Sequence, residues 1–152
     1  MTLQFRWTDG NNPDFRRFWL ITEQYYDRIT GGRENRKQYV PYNLSSAVEH
    51  VLIVYHNETP VACAGLKKYS GKDAEIKRVW VEPGWRNHRI ATLMMARIEE
   101  KAGALGYRRM ILQTREIMKD AVGLYTKLGY HLIDNYPPYD RLDGAICFAK
   151  VL

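Results

Sequence analysis

One junction in the chain decides its fold: Val79-Trp80-Val81-Glu82-Pro83-Gly84-Trp85-Arg86-Asn87-His88-Arg89-Ile90-Ala91. Strand-like apolar residues precede Pro83, and a pattern with helical period follows it. A loop that leaves a strand and opens a helix directs several N–H groups towards one point, where the helix dipole also favours negative charge. Such a point binds phosphate groups. From spacing alone, a phosphate site and an ordinary strand–turn–helix with solvated arginines explain the junction equally well.

Apolar periodicity and turn residues predict the elements on either side of this junction. Strands are expected at Leu3–Trp7, Val51–Tyr55, Val61–Leu66, Ala74–Glu82, Arg109–Thr114, Tyr130–Asp134 and Ala145–Leu152. Helices are expected from Asn12-Pro13 through Ile29 to a stop at Gly31-Gly32, from Ile90 to Leu105 before Gly106, and up to about Leu128 before Gly129. Turns are expected at His56–Pro60 and at Ser70–Asp73. This order predicts an α/β fold of the mixed α+β kind, in which the strand at 74–82 crosses right-handed to a parallel neighbour at 109–114.

Length and composition limit the classes of protein to which the chain can belong. Its 152 residues, 45% of them hydrophobic, match one ordinary domain that spans residues 1–152 and needs no disulfides to hold its core. Cys63 and Cys147 stand apart in apolar stretches without nearby histidines, so we expect buried thiols in a reducing compartment and no metal site. No apolar run is long enough to cross a bilayer, and the N-terminus lacks a signal-peptide core. We therefore expect a cytoplasmic protein that has no membrane partner.

The basic charge of the chain is concentrated in one segment. The net charge is +6, and residues 76–109 contain eight basic and three acidic residues, which is an excess of five. A basic protein invites an anionic partner such as nucleic acid. Because the excess surrounds the strand-to-helix junction, we interpret it as a local field for a small anionic ligand and expect no nucleic-acid partner.

Two motifs of the sequence are similar to those of the GNAT superfamily of N-acetyltransferases. Val81, Pro83, Arg86, Ile90 and Ala91 fit its acyl-CoA-binding pattern V-x-P-x-x-[RQ]-x-x-G-x-[GA], whereas Arg89 stands where the family usually has glycine. A second block resembles the family's A-x-x-L-Y-x-K-x-G-[FY] helix end: Ala121, Leu124-Tyr125, Lys127 and Gly129-Tyr130. The resemblance extends from about Val51 to Leu152. It implies one GNAT-like domain with a central, twisted, mostly antiparallel mixed sheet and helices on both faces.

The resemblance also implies which residues bind acetyl-CoA, the acetyl donor, without any metal. The backbone of Val79 and Val81 would pair with the pantetheine arm as an added strand does. The pyrophosphate would be held by Arg86, Asn87, His88, Arg89, Ile90, Ala91 and Thr92. In Arg89 the glycine of the motif is replaced by a long cationic side chain beside the phosphates.

Two catalytic residues follow from the same resemblance. Tyr125 matches the tyrosine that protonates the leaving thiolate, although on its own it would be a core aromatic of an amphipathic helix. Glu75 is similar in position to the glutamate base of some members, and a base is needed because a lysine-like amine with a pKa near ~10.4 is protonated at neutral pH. The alternative for Glu75, equally favoured, is an ion pair with Lys77. His131 is a weaker candidate for the base. Strand alternation places four residues on one face: Glu75, Lys77, Val79 and Val81.

The sequence predicts the acetyl acceptor in less detail than the acetyl donor. The strand at 75–81 and the closing segment at 136–152 resemble a branch of small bacterial members that are presumed to act on small amines or amino acids. Tyrosines suit an acceptor pocket through stacking and cation–π contact, and the candidates are Tyr26, Tyr136 and Tyr139, with Tyr25, Tyr39 and Tyr42 nearby. The expected enzyme is an N-acetyltransferase that acts on a primary amine of a small molecule by direct attack in a ternary complex.

Two other functions remain open at this stage. A protein N-terminal or lysine acetyltransferase would share the CoA site but have an open peptide groove. A non-catalytic module that binds CoA or nucleic acid would lack turnover, and for nucleic acid its arginines would have to spread over a continuous surface. Dimerisation through the C-terminal strands is common in the family, so a homodimer is compatible with the sequence.

Overall fold

The computed structural model describes residues 2–29 and 45–152. The strands within these ranges are β1 (Gln4–Thr8), β2 (His50–His56), β3 (Thr59–Lys68), β4 (Asp73–Val81), β5 (Arg109–Arg115), β6 (His131–Ile133) and β7 (Ala145–Val151). The α-helices are α1 (Pro13–Ile29), α2 (Ile90–Ala104) and α3 (Lys119–Lys127). Short 3₁₀ turns occupy Ser45–Ala47, Pro83–Trp85 and Tyr139–Arg141.

All the described strands form one sheet in the order β1-β2-β3-β4-β5-β7-β6. The pair β4–β5 is parallel, and every other neighbouring pair is antiparallel. The prediction of a mixed, mostly antiparallel sheet with a parallel β4–α2–β5 crossover is therefore confirmed. The crossover helix α2 begins immediately after the junction on which the sequence analysis rests.

Helices cover both faces of the sheet, as expected. On one face, α1 packs against alternate residues of β2 and β3 and against the end of β4, in a cluster that includes Phe15, Phe18, Val51, Ile53, Cys63 and Trp80. On the other face, α2 and α3 pack against the intervening residues, in a larger cluster that includes Leu52, Val54, Ile76, Met94, Ile98 and Tyr125. Because side chains alternate between the two faces of a strand, Val51 and Ile53 of β2 belong to the first cluster and Leu52 and Val54 to the second.

The helix boundaries follow local chemistry. The side-chain oxygen Oδ1 of Asn12 accepts hydrogen bonds from the backbone N–H groups of Asp14 (2.8 Å) and Phe15 (3.2 Å), which caps α1 as predicted. The glycines expected to end α2 and α3, Gly106 and Gly129, both have a φ of 93°, a conformation that side chains with a Cβ rarely adopt. The stop predicted at Gly31-Gly32 lies outside the described residues.

The turn between β2 and β3 is tighter than the sequence suggested. We expected five turn residues, but Pro60 belongs to β3 and pairs with Tyr55. Only Asn57 and Glu58 form the turn, and both have positive φ, at 48° and 65°. A two-residue turn with positive φ at both positions matches the twist of its flanking strands, which explains why the shorter connection is used.

The neighbouring strands β4 and β5 separate after a short contact. They pair only through Asp73 to Glu75 on β4 and Arg109 to Ile111 on β5, while β5 continues to pair with β7 as far as Arg115. The rest of β4 is paired on its other side with β3. A gap therefore opens between two strands in the middle of the sheet.

Within the described residues, no helix combines the length and the apolarity that a bilayer crossing requires. Both cysteines are free and buried, Cys63 in β3 and Cys147 in β7, as the sequence predicted.

Helix α2 starts from an unusual backbone conformation. Its N-cap residue Arg89 has a φ of 61° and a ψ of 20°, in the left-handed region, and Asn87 has a φ of 66°. For residues with a Cβ, this conformation costs roughly 1–2 kcal/mol because Cβ approaches a carbonyl oxygen. The backbone at position 89 is thus the one that glycine prefers, and an arginine adopts it here.

We predict that Arg89→Gly stabilises the protein by about 0.5–1 kcal/mol, because the relief of left-handed strain exceeds the entropy that glycine adds to the unfolded chain. Urea unfolding monitored by circular dichroism measures the change. Arg86→Gly is the matched control, since Arg86 lies in the same loop with an ordinary φ of −72°. A loss of stability in both variants would contradict the assignment of strain to position 89.

Candidate active site

A cavity of about 410 Å³ fills the gap between β4 and β5. Its walls come from the last turns of α1, the second half of β4, the start of the junction, the end of β5 and the first turns of α3. The lining includes Tyr25, Tyr26, Arg78, Val79, Trp80, Val81, Arg86, Ala91, Gln113, Thr114, Asp120 and Tyr125. Because residues of both packing faces contribute, the cavity connects the α1 side of the sheet with the α2–α3 side.

A β-bulge at Arg78 shapes this part of β4. Cys63 pairs with Trp80 and Gly65 pairs with Lys77, so β4 contains one residue more than β3 between the two pairs. Arg78 has a φ of 54°, which marks it as the bulged residue. A Cβ on Gly65 would lie 2.7 Å from Cγ1 of Val48 and 3.1 Å from the carbonyl oxygen of Lys77, so the strand opposite the bulge requires glycine.

The bulge overturns one expectation from the sequence. Alternation predicted that Glu75, Lys77, Val79 and Val81 share a face, but Val79 and Val81 pack with the cluster of α2 and α3 to which Ile76 belongs. Glu75 and Lys77 point to the opposite face, where they contact Tyr136 and Tyr139. The extra residue at position 78 reverses the alternation, because side chains exchange faces at every residue of a strand.

The predicted donor-binding backbone borders the cavity. Val79 and Val81 line it, and neither pairs with β5. Val81 pairs with Ala62 on the other side, and the N–H of Glu82 donates to the carbonyl oxygen of Val61 at 2.9 Å. The edge of β4 that faces β5 is therefore open to an extended ligand at this point.

The junction brings its candidate phosphate ligands to the start of α2. The N-cap Arg89 makes no side-chain capping hydrogen bond, so the first N–H groups of the helix lack the partner that a capping side chain would provide. Arg86 and Ala91 line the cavity, and Asn87, His88, Arg89 and Thr92 are exposed. Ile90 is only 1% exposed and packs in the core, so it offers its backbone alone.

Two side chains stiffen this junction from within. Nε of Arg86 donates to the carbonyl oxygen of Val81 at 2.9 Å, and its guanidinium lies 4.8 Å from the centre of the Trp80 ring. Nδ1 of His88 contacts the carbonyl oxygens of Trp85 (3.2 Å) and Arg86 (2.9 Å). The loop is therefore shaped by its own side chains, which reduces the ordering cost of binding an anion there.

Tyr125 reaches the cavity from α3. It is 7% exposed and packs edge-on against Tyr130, with Phe148 next to it. Burial raises the pKa of its hydroxyl well above the ordinary value near 10, and the nearby Tyr26 adds to the shift. Tyr125 and Tyr26, which come from opposite faces of the sheet, are thus brought together by the gap.

Glu75 does not line the cavity. Its carboxylate accepts a hydrogen bond of 2.7 Å from the hydroxyl of Tyr136 and lies 3.6 Å from Nζ of Lys77, and only 4% of the residue is exposed. Nζ of Lys77 also donates to the hydroxyl of Tyr139 at 2.7 Å. Of the two interpretations of Glu75 that the sequence left open, the geometry favours the ion pair, formed along one strand.

Of the other candidates from the sequence, some line the cavity and some lie away from it. Tyr26 lines the cavity, whereas Tyr136 and Tyr139 sit in the β6–β7 connection and hold Glu75 and Lys77. His131 is exposed on the edge strand β6. Tyr39 and Tyr42 lie outside the described residues. In residues 2–29 and 45–152, no group of three or more His, Cys, Asp or Glu side chains is arranged to hold a metal ion.

Sequence reasoning missed Arg78, the residue at the centre of this arrangement. Its side chain is 4% exposed, yet it is charged and lines the cavity. NH1 donates to Oγ1 of Thr22 at 2.8 Å, and NH2 forms an ion pair with Glu23. The signal was present in the sequence, since Lys77-Arg78 interrupts an apolar strand and buried charges are rare without a partner or a function.

Curated proteins of related sequence match part of this chain. An uncharacterised N-acetyltransferase of Schizosaccharomyces pombe is 28% identical over 89 residues, which cover 57% of this chain and 55% of that protein. The chain spans about half the length of the curated relatives that it matches, between 51% and 58% of each.

Solved structures show the fold over nearly the whole chain. A candidate acyl-CoA N-acyltransferase from Klebsiella pneumoniae subsp. pneumoniae has a TM-score of 0.81 at 18% identity, covering 99% of this chain and 98% of that one. A GNAT family acetyltransferase from Elizabethkingia anophelis, solved with acetyl-CoA bound, has a TM-score of 0.68 at 18% identity, with coverage of 99% and 98%.

The family model that matches is that of the acetyltransferase (GNAT) family, and the match covers residues 6–130. This range contains the junction, the bulged strand β4, helix α2 and Tyr125. The divided sheet, the strand-to-helix junction and this match agree, and the chain belongs to the GNAT family of acetyltransferases.

Proposed function

We propose that this protein transfers the acetyl group of acetyl-CoA to a primary amine of a small molecule in a ternary complex. The observation that carries the proposal is the cavity through the sheet, which is lined on one side by the junction and Tyr125 and on the other by the end of α1. Two substrates entering from opposite faces would meet between β4 and β5. Family membership supports the donor, and the structurally similar Elizabethkingia enzyme was solved with acetyl-CoA bound.

The donor side has the chemistry that acetyl-CoA requires. The open edge of β4 at Val79 and Val81 offers backbone groups to the amides of the pantetheine arm. The uncapped start of α2, together with Arg86 and the exposed Arg89, suits the negative charge of the pyrophosphate. Asn87, His88, Ala91 and Thr92 surround the same point, and Ile90 contributes its backbone.

In the proposed reaction, the neutral amine nitrogen attacks the thioester carbonyl carbon and forms the new C–N bond. The C–S bond then breaks, the nitrogen loses a proton, and the leaving thiolate gains one, which gives the N-acetyl product and free CoA. Tyr125 donates the proton to sulfur and regains one from solvent, which has taken up the proton lost by the amine. The raised pKa of Tyr125 keeps its hydroxyl protonated throughout the neutral pH range, so a proton is available for transfer to sulfur.

The proposed route for removal of the amine proton does not use Glu75, which the sequence offered as a candidate base. Glu75 is similar in position to a catalytic base, but its carboxylate is engaged by Tyr136 and Lys77 outside the cavity lining. We propose that Glu75 holds the β6–β7 connection against β4. The amine then loses its proton to solvent in the open cavity, so the rate depends on the fraction of acceptor that is unprotonated.

The remaining expectations fit the same proposal. We propose that residues 1–152 form a single domain, and that the protein is cytoplasmic, since the two free, buried thiols suit a reducing compartment. The edge position of β6 and the exposed side chains of Leu132 and Val151 agree with a homodimer formed through the C-terminal strands.

We predict that Tyr125→Phe lowers kcat by about 10²- to 10⁴-fold, the range typical for loss of a general acid, while acetyl-CoA still binds. A free-thiol assay with a panel of small amines measures turnover, and titration calorimetry measures binding. Tyr130→Phe is the matched control, because the hydroxyl of Tyr130 donates to Glu99 at 2.8 Å instead of reaching the cavity. Full turnover in Tyr125→Phe would exclude the proposed acid.

We predict that kcat does not decline with rising pH below about pH 10. Burial raises the pKa of Tyr125, so its protonated, donating form persists at least up to the ordinary tyrosine value of 10.0. Activity should instead rise with pH as more of the acceptor amine loses its proton. Initial rates at saturating acceptor between pH 6 and pH 10 test this, and a decline near neutrality that Tyr125→Phe abolishes would contradict it.

We predict that Glu75→Gln destabilises the fold, by up to about 3 kcal/mol, because it removes the carboxylate beside the buried Lys77 ammonium. The double variant Glu75→Gln/Lys77→Met removes both charges and should recover most of the stability in urea unfolding. Turnover should recover with it. If the double variant is stable but its kcat is strongly reduced, and its residual activity no longer shows the acidic limb of the wild-type pH–rate profile, Glu75 is the base.

A further inference from the structure

Arg78 is a buried cation in the wall of the acceptor side of the cavity. Its guanidinium carbon lies 3.8 Å from the centre of the Trp19 ring and 5.0 Å from that of Tyr26. Thr22 and Glu23 accept from its two terminal nitrogens. The group is therefore fixed in position by four residues of α1, and its bulged backbone turns it towards the same side as Trp80.

The guanidinium retains donors for a ligand. It carries five N–H groups in a planar fork. Thr22 and Glu23 take two of them, and among the described residues no further acceptor engages the rest. Such a fork matches the two oxygens of a carboxylate, and its position is already fixed before the ligand binds.

The surrounding surface favours an acceptor that carries an anion beside its amine. The cavity wall on the α1 side includes Tyr25, Tyr26, Ile29, Trp80 and Arg78. The Arg86 guanidinium lies over the Trp80 ring, so the charges that the described residues bring to this wall are positive. Glu23 lies against Arg78 and is 7% exposed, so it is not presented to a cationic substrate. A polyamine would therefore meet aromatic rings and a positive charge, whereas an amino acid would place its carboxylate on Arg78.

The position of Arg78 also places it in the same cavity as the proposed proton donor. The Arg78 guanidinium carbon lies 5.0 Å from the centre of the Tyr26 ring, and Tyr26 and Tyr125 both line the cavity. The proposed anion-binding group and the proposed proton donor therefore face one shared space. A small molecule that holds its carboxylate at Arg78 extends its amine towards Tyr125.

We propose that the acceptor is a small amino acid, and that Arg78 is the residue that selects it by binding its carboxylate. This inference rests on the proposed function and narrows its substrate class. It predicts that the enzyme distinguishes amines by the presence of a carboxylate, although the carboxylate does not react during acetyl transfer.

The test compares matched acceptors with the wild-type enzyme and three variants. Each amino acid of a panel is assayed beside its amide and beside the amine that lacks the carboxyl group. For the wild type, we expect kcat/KM to be about 10- to 100-fold higher with the free carboxylate, the range that hydrogen bonds to a charged group provide. Arg78→Lys keeps the charge but loses the fork, and should lower kcat/KM for the amino acids more than for their amides.

A second variant protects the test against misfolding. Arg78→Gln alone would remove the Arg78 cation from the buried Glu23 carboxylate, so Arg78→Gln/Glu23→Gln changes both members of this ion pair together. We expect this double variant to lose the preference for the free carboxylate, so that kcat/KM becomes similar for each amino acid and its amide. Arg97→Gln is the matched control, since the Arg97 guanidinium also lies over a ring, 4.3 Å from that of Phe5, but outside the cavity.

The outcomes separate the inference from the function on which it rests. Equal rates with amino acids, amides and plain amines, or an unchanged preference in the double variant, would overturn the role of Arg78 while leaving the acetyltransferase intact. Absence of thiol release with every acceptor, in a protein that calorimetry shows not to bind acetyl-CoA, would overturn the proposed function itself. Binding of acetyl-CoA with acetylation of peptides alone would also reject a small amino acid.

Discussion

The separation of β4 from β5 is the constraint on which the site depends. Parallel neighbours in a sheet normally continue to pair, but here the ladder ends at Glu75 and Ile111 while β4 and β5 remain bound to β3 and β7. The backbone groups that this leaves unpaired need partners, since an unsatisfied N–H or C=O in a protein interior is costly. In the proposed function, the pantetheine arm of acetyl-CoA would supply these partners. The proposed binding site is thus defined by the strand pairing that the sheet lacks at that position.

The bulge at Arg78 gives the two walls of the opening their different character. Before the bulge, Glu75 and Lys77 face the tyrosines of the β6–β7 connection, and after it Val79 and Val81 face α2 and α3. Arg78 itself turns towards α1, where Thr22 and Glu23 hold it. One inserted residue therefore places a cation on the α1 side and apolar side chains on the α2–α3 side of the same strand.

The local excess of basic residues serves several separate purposes in the folded chain. Arg109 makes two hydrogen bonds to Asp73, at 3.0 and 2.9 Å, where β4 and β5 still pair. Arg97 and Lys101 lie over the rings of Phe5 and Trp7 at the far edge of the sheet. Arg86 and Arg89 remain near the start of α2. The dispersal explains why a basic net charge need not signal a polyanion-binding surface.

The elements and their order follow from local sequence signals, because apolar periodicity, an Asn cap and glycine stops act over a few neighbouring residues. The sequence also indicates the family, since the junction and the Tyr125 block are local motifs. The contacts between distant side chains, by contrast, depend on the tertiary fold. Strand alternation placed Glu75 with Val79, and the bulge, which depends on contacts among β3, β4 and Val48, reversed that arrangement. Arg78 and Tyr125 lie 47 positions apart in the chain and share a cavity only because the sheet opens between them. Long-range packing of this kind leaves no periodic trace in the sequence.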